Sequence, residues 1–190
     1  MNNETDSKVV VFDWSSGRVI ACAEWKRQLI DRVTFNPADE SREICVSGHN
    51  IWAIFSIKDG IKDGILNPTN HKFSEVIAKS RKHMTYVSNQ KTTFTEHCWL
   101  DRNRLIGCTM TGEMYYFENY QLKRVHDNAF QSDDNNSYVV SIKTFSKGFF
   151  IGSNEGDMAM WIRQEENQST SGKNDYDFIA RWQPAACKRQ

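Results

Sequence analysis

The chain has 190 residues, 39% of them hydrophobic and 12% aromatic, with 24 Lys and Arg against 24 Asp and Glu. That is enough apolar material for a packed core, which excludes a wholly disordered polypeptide, and the length points to one domain. Zero formal net charge removes any global electrostatic attraction to nucleic acid or a membrane surface, and no run approaches the roughly 18 apolar residues of a helical membrane span.

In chain order, residues 1–8 are polar and acidic, without a secretory pattern. Residues 9–13 form a β-branched run ending in the aromatic-Asp pair Phe12-Asp13, 15–17 read as a turn, and 18–25 as a second strand. Strands follow over 31–35, 44–47 and 51–57, closed by an Asp59-Gly60 turn. The next set is 94–100, 104–109 and 113–118, with an outer strand near Val125. The last is 138–145, 149–153, 157–163 and 175–182. Gly112 and Gly156 fall in hairpin turns, where a positive φ suits a residue without a Cβ. Met158, Met160 and Ile162 alternate with Ala159 and Trp161, the pattern of a strand inside stacked sheets.

These sets repeat. Cys98, Leu105, Gly112 and Phe117 return as Ile142, Phe149, Gly156 and Trp161, each 44 positions later. A looser earlier copy holds Val33-Thr34-Phe35, Ile44 to Gly48 and Ile51 to Phe55. A period near 40–45 residues with three or four short strands per unit signals a β-propeller of the WD-repeat type. The expected fold is therefore all-β, a partial propeller of about three and a half four-stranded blades. Phe55 and Phe117 are 62 apart, 18 more than the later period of 44, which places an irregular insertion at 61–93. Within it, 74–84 is compatible with a helix. Residues 165–173, rich in Gln, Ser, Asn and Gly, read as a flexible loop. Ile106 and Ile151, each near the start of a second strand, are expected in β structure and mostly buried.

A ring needs four to eight blades, and here the first unit supplies only its outer half. The expectation is a piece of a longer chain, or an arc closed by another chain, with the 9–12 strand edge unpaired and the isolated chain aggregation-prone or oligomeric.

The chemistry-bearing residues point away from catalysis. His97 and Cys98 are adjacent in a strand and face opposite ways, so they cannot share an ion or pass a proton directly. Cys45 and His49 lack the second ligand pair of a zinc site. The stretch 58–64 contains two Asp-Gly turns without the acidic spacing of a calcium loop. No Gly-x-Ser-x-Gly, phosphate-loop or His-Glu-x-x-His motif occurs. The expectation is a non-enzyme with no cofactor and no metal. Cys22, Cys45, Cys98, Cys108 and Cys187 have no paired spacing and read as reduced thiols of a cytosolic protein. Asn3, Asn135 and Asn167 head formal glycosylation sequons, expected to stay bare. Most of the aromatics fall on strands and read as core rather than as bases for nucleic-acid stacking. The candidate partner-binding residues are Lys79, Arg81, Lys82 and His83 in the insertion, beside Val76 and Ile77, suited to an acidic protein surface.

The stretch from Phe94 through Trp99, Gly107 and Gly112 to Phe117-Glu118-Asn119 resembles the large cilia- and flagella-associated WD-repeat proteins. Arg32 to Pro37 with Ile44 to Gly48 is similar to the preceding unit of that family, and Ser146 to Phe149 with Gly152 and Gly156 to the following one. The resemblance is nearest to members of the inner-dynein-arm and dynein-regulatory region, with tether-head proteins next, and covers residues 8–165. It departs in lacking further blades, coiled-coil segments and most Gly-His and Trp-Asp dipeptides. The resemblance implies an interaction scaffold in cytoplasm, cytoskeleton and the cilium axoneme, positioning dynein-associated complexes, with tubulin as an acidic partner, without nucleic acid or membrane. The alternatives are a general cytosolic WD-repeat adaptor, in ubiquitylation or trafficking, and more remotely an enzyme with its site in the propeller channel.

Overall fold

A computed structural model describes residues 6–38, 42–57, 61–62, 65–66, 92–131, 137–163 and 176–182. β1 (Ser7–Asp13) and β2 (Arg18–Trp25) form a hairpin. β3 (Ile30–Phe35), β4 (Glu43–Gly48) and β5 (Ile51–Ser56) form a three-stranded antiparallel sheet. The short β6 (Ile61–Lys62) and β7 (Ile65–Leu66) pair with each other, and β7 returns to the first sheet, running parallel to β2 at Cys22 and Ile65. β8 (Phe94–Trp99), β9 (Arg104–Thr109), β10 (Met114–Glu118) and β11 (Gln121–His126) make the third sheet in simple up-and-down order. β12 (Val139–Phe145), β13 (Gly148–Ser153), β14 (Met158–Arg163) and β15 (Tyr176–Trp182) repeat it.

Three apolar cores join the sheets in sequence. Val9, Val11, Ala21 and Ala23 of the first meet Ile44, Val46, Ile51 and Phe55 of the second. Cys45, Trp52 and Ile54 on the other face of the second meet Phe94, Leu105, Tyr115 and Phe117 of the third. Ile106, Cys108, Met114 and Tyr116 of the third meet Phe149, Ile151, Ala159 and Trp161 of the fourth. Strand alternation explains this. Each blade sends one set of residues backward and the intervening set forward, so every interior blade is apolar on both faces.

The strand register supports the repeat at a finer level. The pairing of third with outer strand is irregular after Val11, after Tyr116 and after Met160. The residues that follow, Phe12, Phe117 and Trp161, are therefore structural equivalents. Gly112 and Gly156 hold φ of 84° and 91° in the matching turns, as the hairpins require.

The segment expected as an irregular insertion opens with paired strands that extend the first sheet, because the edge of β2 offers unpaired backbone groups. Ile106 and Ile151 are in strands and each 1% exposed, as expected, and being 45 apart they stand one step out of repeat register. They lie on opposing walls of the same core. The possible helix at 74–84 and the loop at 165–173 lie outside the described residues.

Candidate protein-interaction rim

In an antiparallel blade the turn from second to third strand and the entry to the first strand lie at the same end. Here one backbone bond recurs at that end of every complete set. The His49 N–H donates to the Leu29 carbonyl at 2.9 Å, the Met110 N–H to Thr93 at 2.9 Å, and the Asn154 N–H to Tyr138 at 3.1 Å. Two more bonds extend the stitching: Asn50 N–H to Thr92 carbonyl at 3.0 Å ties the second blade to the third, and Ala129 N–H to Gly112 carbonyl at 2.9 Å ties the outer connection inward. Satisfying these groups inside the protein holds the loops in one conformation.

Side chains brace the turns. Ser153 Oγ accepts from the N–H of Asp157 at 3.0 Å and of Glu155 at 3.1 Å, while Asp157 pairs with Arg181 of the outer strand. In the third blade the Tyr115 and Thr111 hydroxyls both donate to Glu113, each at 3.1 Å. On this braced edge Leu29 and Met110 remain exposed, apolar side chains presented by fixed backbone. At the other end of the first blade, Trp14 is exposed in the β1–β2 turn. Asp13 caps that turn by accepting from the Ser15 hydroxyl, the Ser16 hydroxyl and the Ser15 N–H, and these bonds hold its carboxyl down at about 2.

Other groups with displaced titration, His97, Glu96, Cys45 and Cys108, are packed between blades. His97 is fully buried between the second and third sheets, with Nδ1 2.6 Å from Ser47 Oγ and Nε2 2.7 Å from Thr34 Oγ1. Burial first, then the nearby Arg32 charge, lowers its pKa to about 3. The ring is thus neutral, donating to one hydroxyl and accepting from the other. Glu96 accepts from the His97 N–H at 2.9 Å and meets Arg32 at 2.9 Å, yet burial outweighs both and raises its carboxyl. Burial likewise pushes the Cys45 and Cys108 thiols up, which suits inert core thiols rather than nucleophiles.

His97 and Cys98 point to opposite faces, the first into the seam with blade two and the second toward the core shared with blade four. Cys45 lies in the core while His49 Nδ1 meets Thr93 Oγ1 at 2.9 Å, so the structure does not bring that pair together. Among the described residues no group of three or more His, Cys, Asp or Glu is arranged to hold a metal ion. Lys79, Arg81, Lys82 and His83 lie outside the described residues, as do Asn3, Asn135 and Asn167. Reading the sequence missed Leu29 and Met110, since a lone apolar residue in a turn carries no signal until the hydrogen bonds fixing that turn are known.

No family model matches the chain, and none of the curated proteins does. Among solved structures it is similar to the β-propeller domain of Cps50 (Swd1) from Myceliophteria thermophila, with a TM-score of 0.62 over 93% of this chain at 10% identity. The fold is a partial β-propeller. The chain spans about half, 52%, of that propeller's length. At this identity the likeness concerns architecture alone, and it agrees with the sheet order and the three successive interblade cores.

Proposed function

We propose that the chain is a non-enzymatic protein-interaction scaffold whose braced rim docks protein partners. The observation that carries this reading is the recurring turn-to-entry hydrogen bond, which presents Leu29 and Met110 on preordered loops. Preordering removes part of the loop-ordering cost from binding. His97 adds support: its displaced imidazole is engaged in holding the second and third blades together through Ser47 and Thr34.

The finer reading, a scaffold of the ciliary axoneme positioning dynein-associated complexes, rests on the resemblance of the third and neighbouring units to cilia- and flagella-associated WD-repeat proteins. Its test is fractionation of detergent-extracted axonemes from the source cell. The chain should stay with the microtubule fraction and leave with the dyneins in high salt, and Leu29→Asp with Met110→Asp should release it at low salt with an unchanged melt. Recovery in the soluble fraction, with axoneme binding absent, would favour the general cytosolic adaptor instead.

A further inference from the structure

The two ends of the arc carry the two halves of the interface that the chain builds internally. Forward-facing residues of the third blade, Ile106, Cys108, Met114 and Tyr116, are buried against the fourth. Their counterparts 44 positions on are Phe150, Gly152, Met158 and Met160, and no following blade covers them among the described residues. Met114 is 2% exposed whereas Met158 is 49%. Phe145, Phe150 and Trp182 cluster on the same face, with ring centroids 5.0 and 6.4 Å apart around Phe150.

At the other end, the backward-facing third-strand aromatic is buried in each later blade, where Phe55, Phe117 and Trp161 pair with the second residues of their second strands, Ile44, Leu105 and Phe149. Phe55, Phe117 and Trp161 are 2%, 1% and 1% exposed, but Phe12 is 57% exposed. Val19, its partner on β2, is exposed beside it. Among the described residues the fourth blade thus offers an uncovered forward face and the first an uncovered backward face.

We propose that these faces dock on a second copy of this chain, fourth blade of one to first blade of the other, twice over, closing a ring from two arcs. Each contact would place Phe12, which stands where Phe117 and Trp161 stand in later blades, against the Met158 face, with the first sheet presenting β1 and β2 there in place of a second and third strand. Two copies carry eight sheets, within the four to eight blades of known rings, and match the length of a propeller of which one copy spans 52%. Twofold closure satisfies both faces at once; a symmetric pairing of like faces would leave one uncovered.

The test is sedimentation equilibrium of the purified chain, alone and as Phe12→Lys and Met158→Lys variants, with melts to confirm folding and Trp182→Lys in reserve. The expected species is a dimer, twice the 22.1 kDa chain mass. Either variant should weaken each of the two contacts by roughly 30-fold, the scale of a central anchor residue, and so shift the protein to monomer. Mixing the two variants restores one intact contact and should recover a weaker heterodimer. A monomer at every concentration, oligomers that keep lengthening, a dimer indifferent to both changes, or no recovery on mixing would each overturn the proposal.

Discussion

Gly107→Ala should destabilise the fold through one side chain of the preceding blade. Gly107 faces backward in β9, where the second and fourth blades have Val46 and Ile151, both fully buried. A Cβ at 107 would sit 2.2 and 2.3 Å from Trp52 Cη2 and Cζ3, and 3.2 Å from Phe94 Cε1. Ordinary carbon contacts need about 3.5–4.0 Å, so the indole must retreat by more than about 1 Å. Trp52 has little room: it is 4% exposed and boxed in by Phe94 at 4.4 Å, Phe117 at 5.3 Å and His97 at 5.7 Å between centroids. Overpacking of this kind costs about 1–3 kcal/mol, and the upper end applies to so confined a ring. Removing glycine's extra freedom in the unfolded chain returns about 0.4–1 kcal/mol. The net is a loss of about 2 kcal/mol, or a fall of roughly 4–8 °C in Tm for a chain of this size. Urea unfolding followed by tryptophan fluorescence measures it. Trp52→Phe removes the clashing atoms, so the double variant should be more stable than the two single effects summed, by about 1 kcal/mol. A neutral Gly107→Ala, or strict additivity with Trp52→Phe, would refute the big-against-small pairing of the two blades.

His97 makes stability pH-dependent. Its folded pKa of about 3 lies below the ordinary 6.5, so between these values the unfolded chain binds more protons and stability falls as pH falls. From pH 6.5 to 5 the loss is about 2 kcal/mol, with His126, lowered to about 4 chiefly by burial, acting in the same direction. Urea midpoints at pH 7 and pH 5 should show a smaller difference in His97→Gln than in the unaltered protein; an equal difference would contradict the assignment. Ile106→Ala and Ile151→Ala should each cost about 2–5 kcal/mol in urea unfolding. Because both line one core, the double variant should deviate from additivity; perfect additivity would argue against their facing each other.

The repeat was readable because blade stacking demands apolar residues at fixed strand positions and glycine at fixed turns, which is why Leu105, Gly112 and Phe117 announce Phe149, Gly156 and Trp161. The outer strands over 18–25 and 175–182 were readable for the same reason. The sequence was silent where partners lie far apart in the chain. Alternation separates His97 from Cys98, but nothing local says that Ser47 and Thr34, 50 and 63 residues away, supply hydroxyls to the imidazole. Nor does it foretell that β7 joins β2 in parallel, since a two-residue strand has no periodicity. The rim was hidden because backbone hydrogen bonds, not side-chain types, make it.

Hydroxyl-radical footprinting of the dilute monomer, read at the four equivalent positions Phe12, Phe55, Phe117 and Trp161, distinguishes an open arc of stacked blades from a closed one. An open arc gives strong labelling of Phe12 and protection of Phe55, Phe117 and Trp161. Protection of Phe12 in the monomer, or labelling of Phe117 or Trp161 equal to that of Phe12, would contradict it.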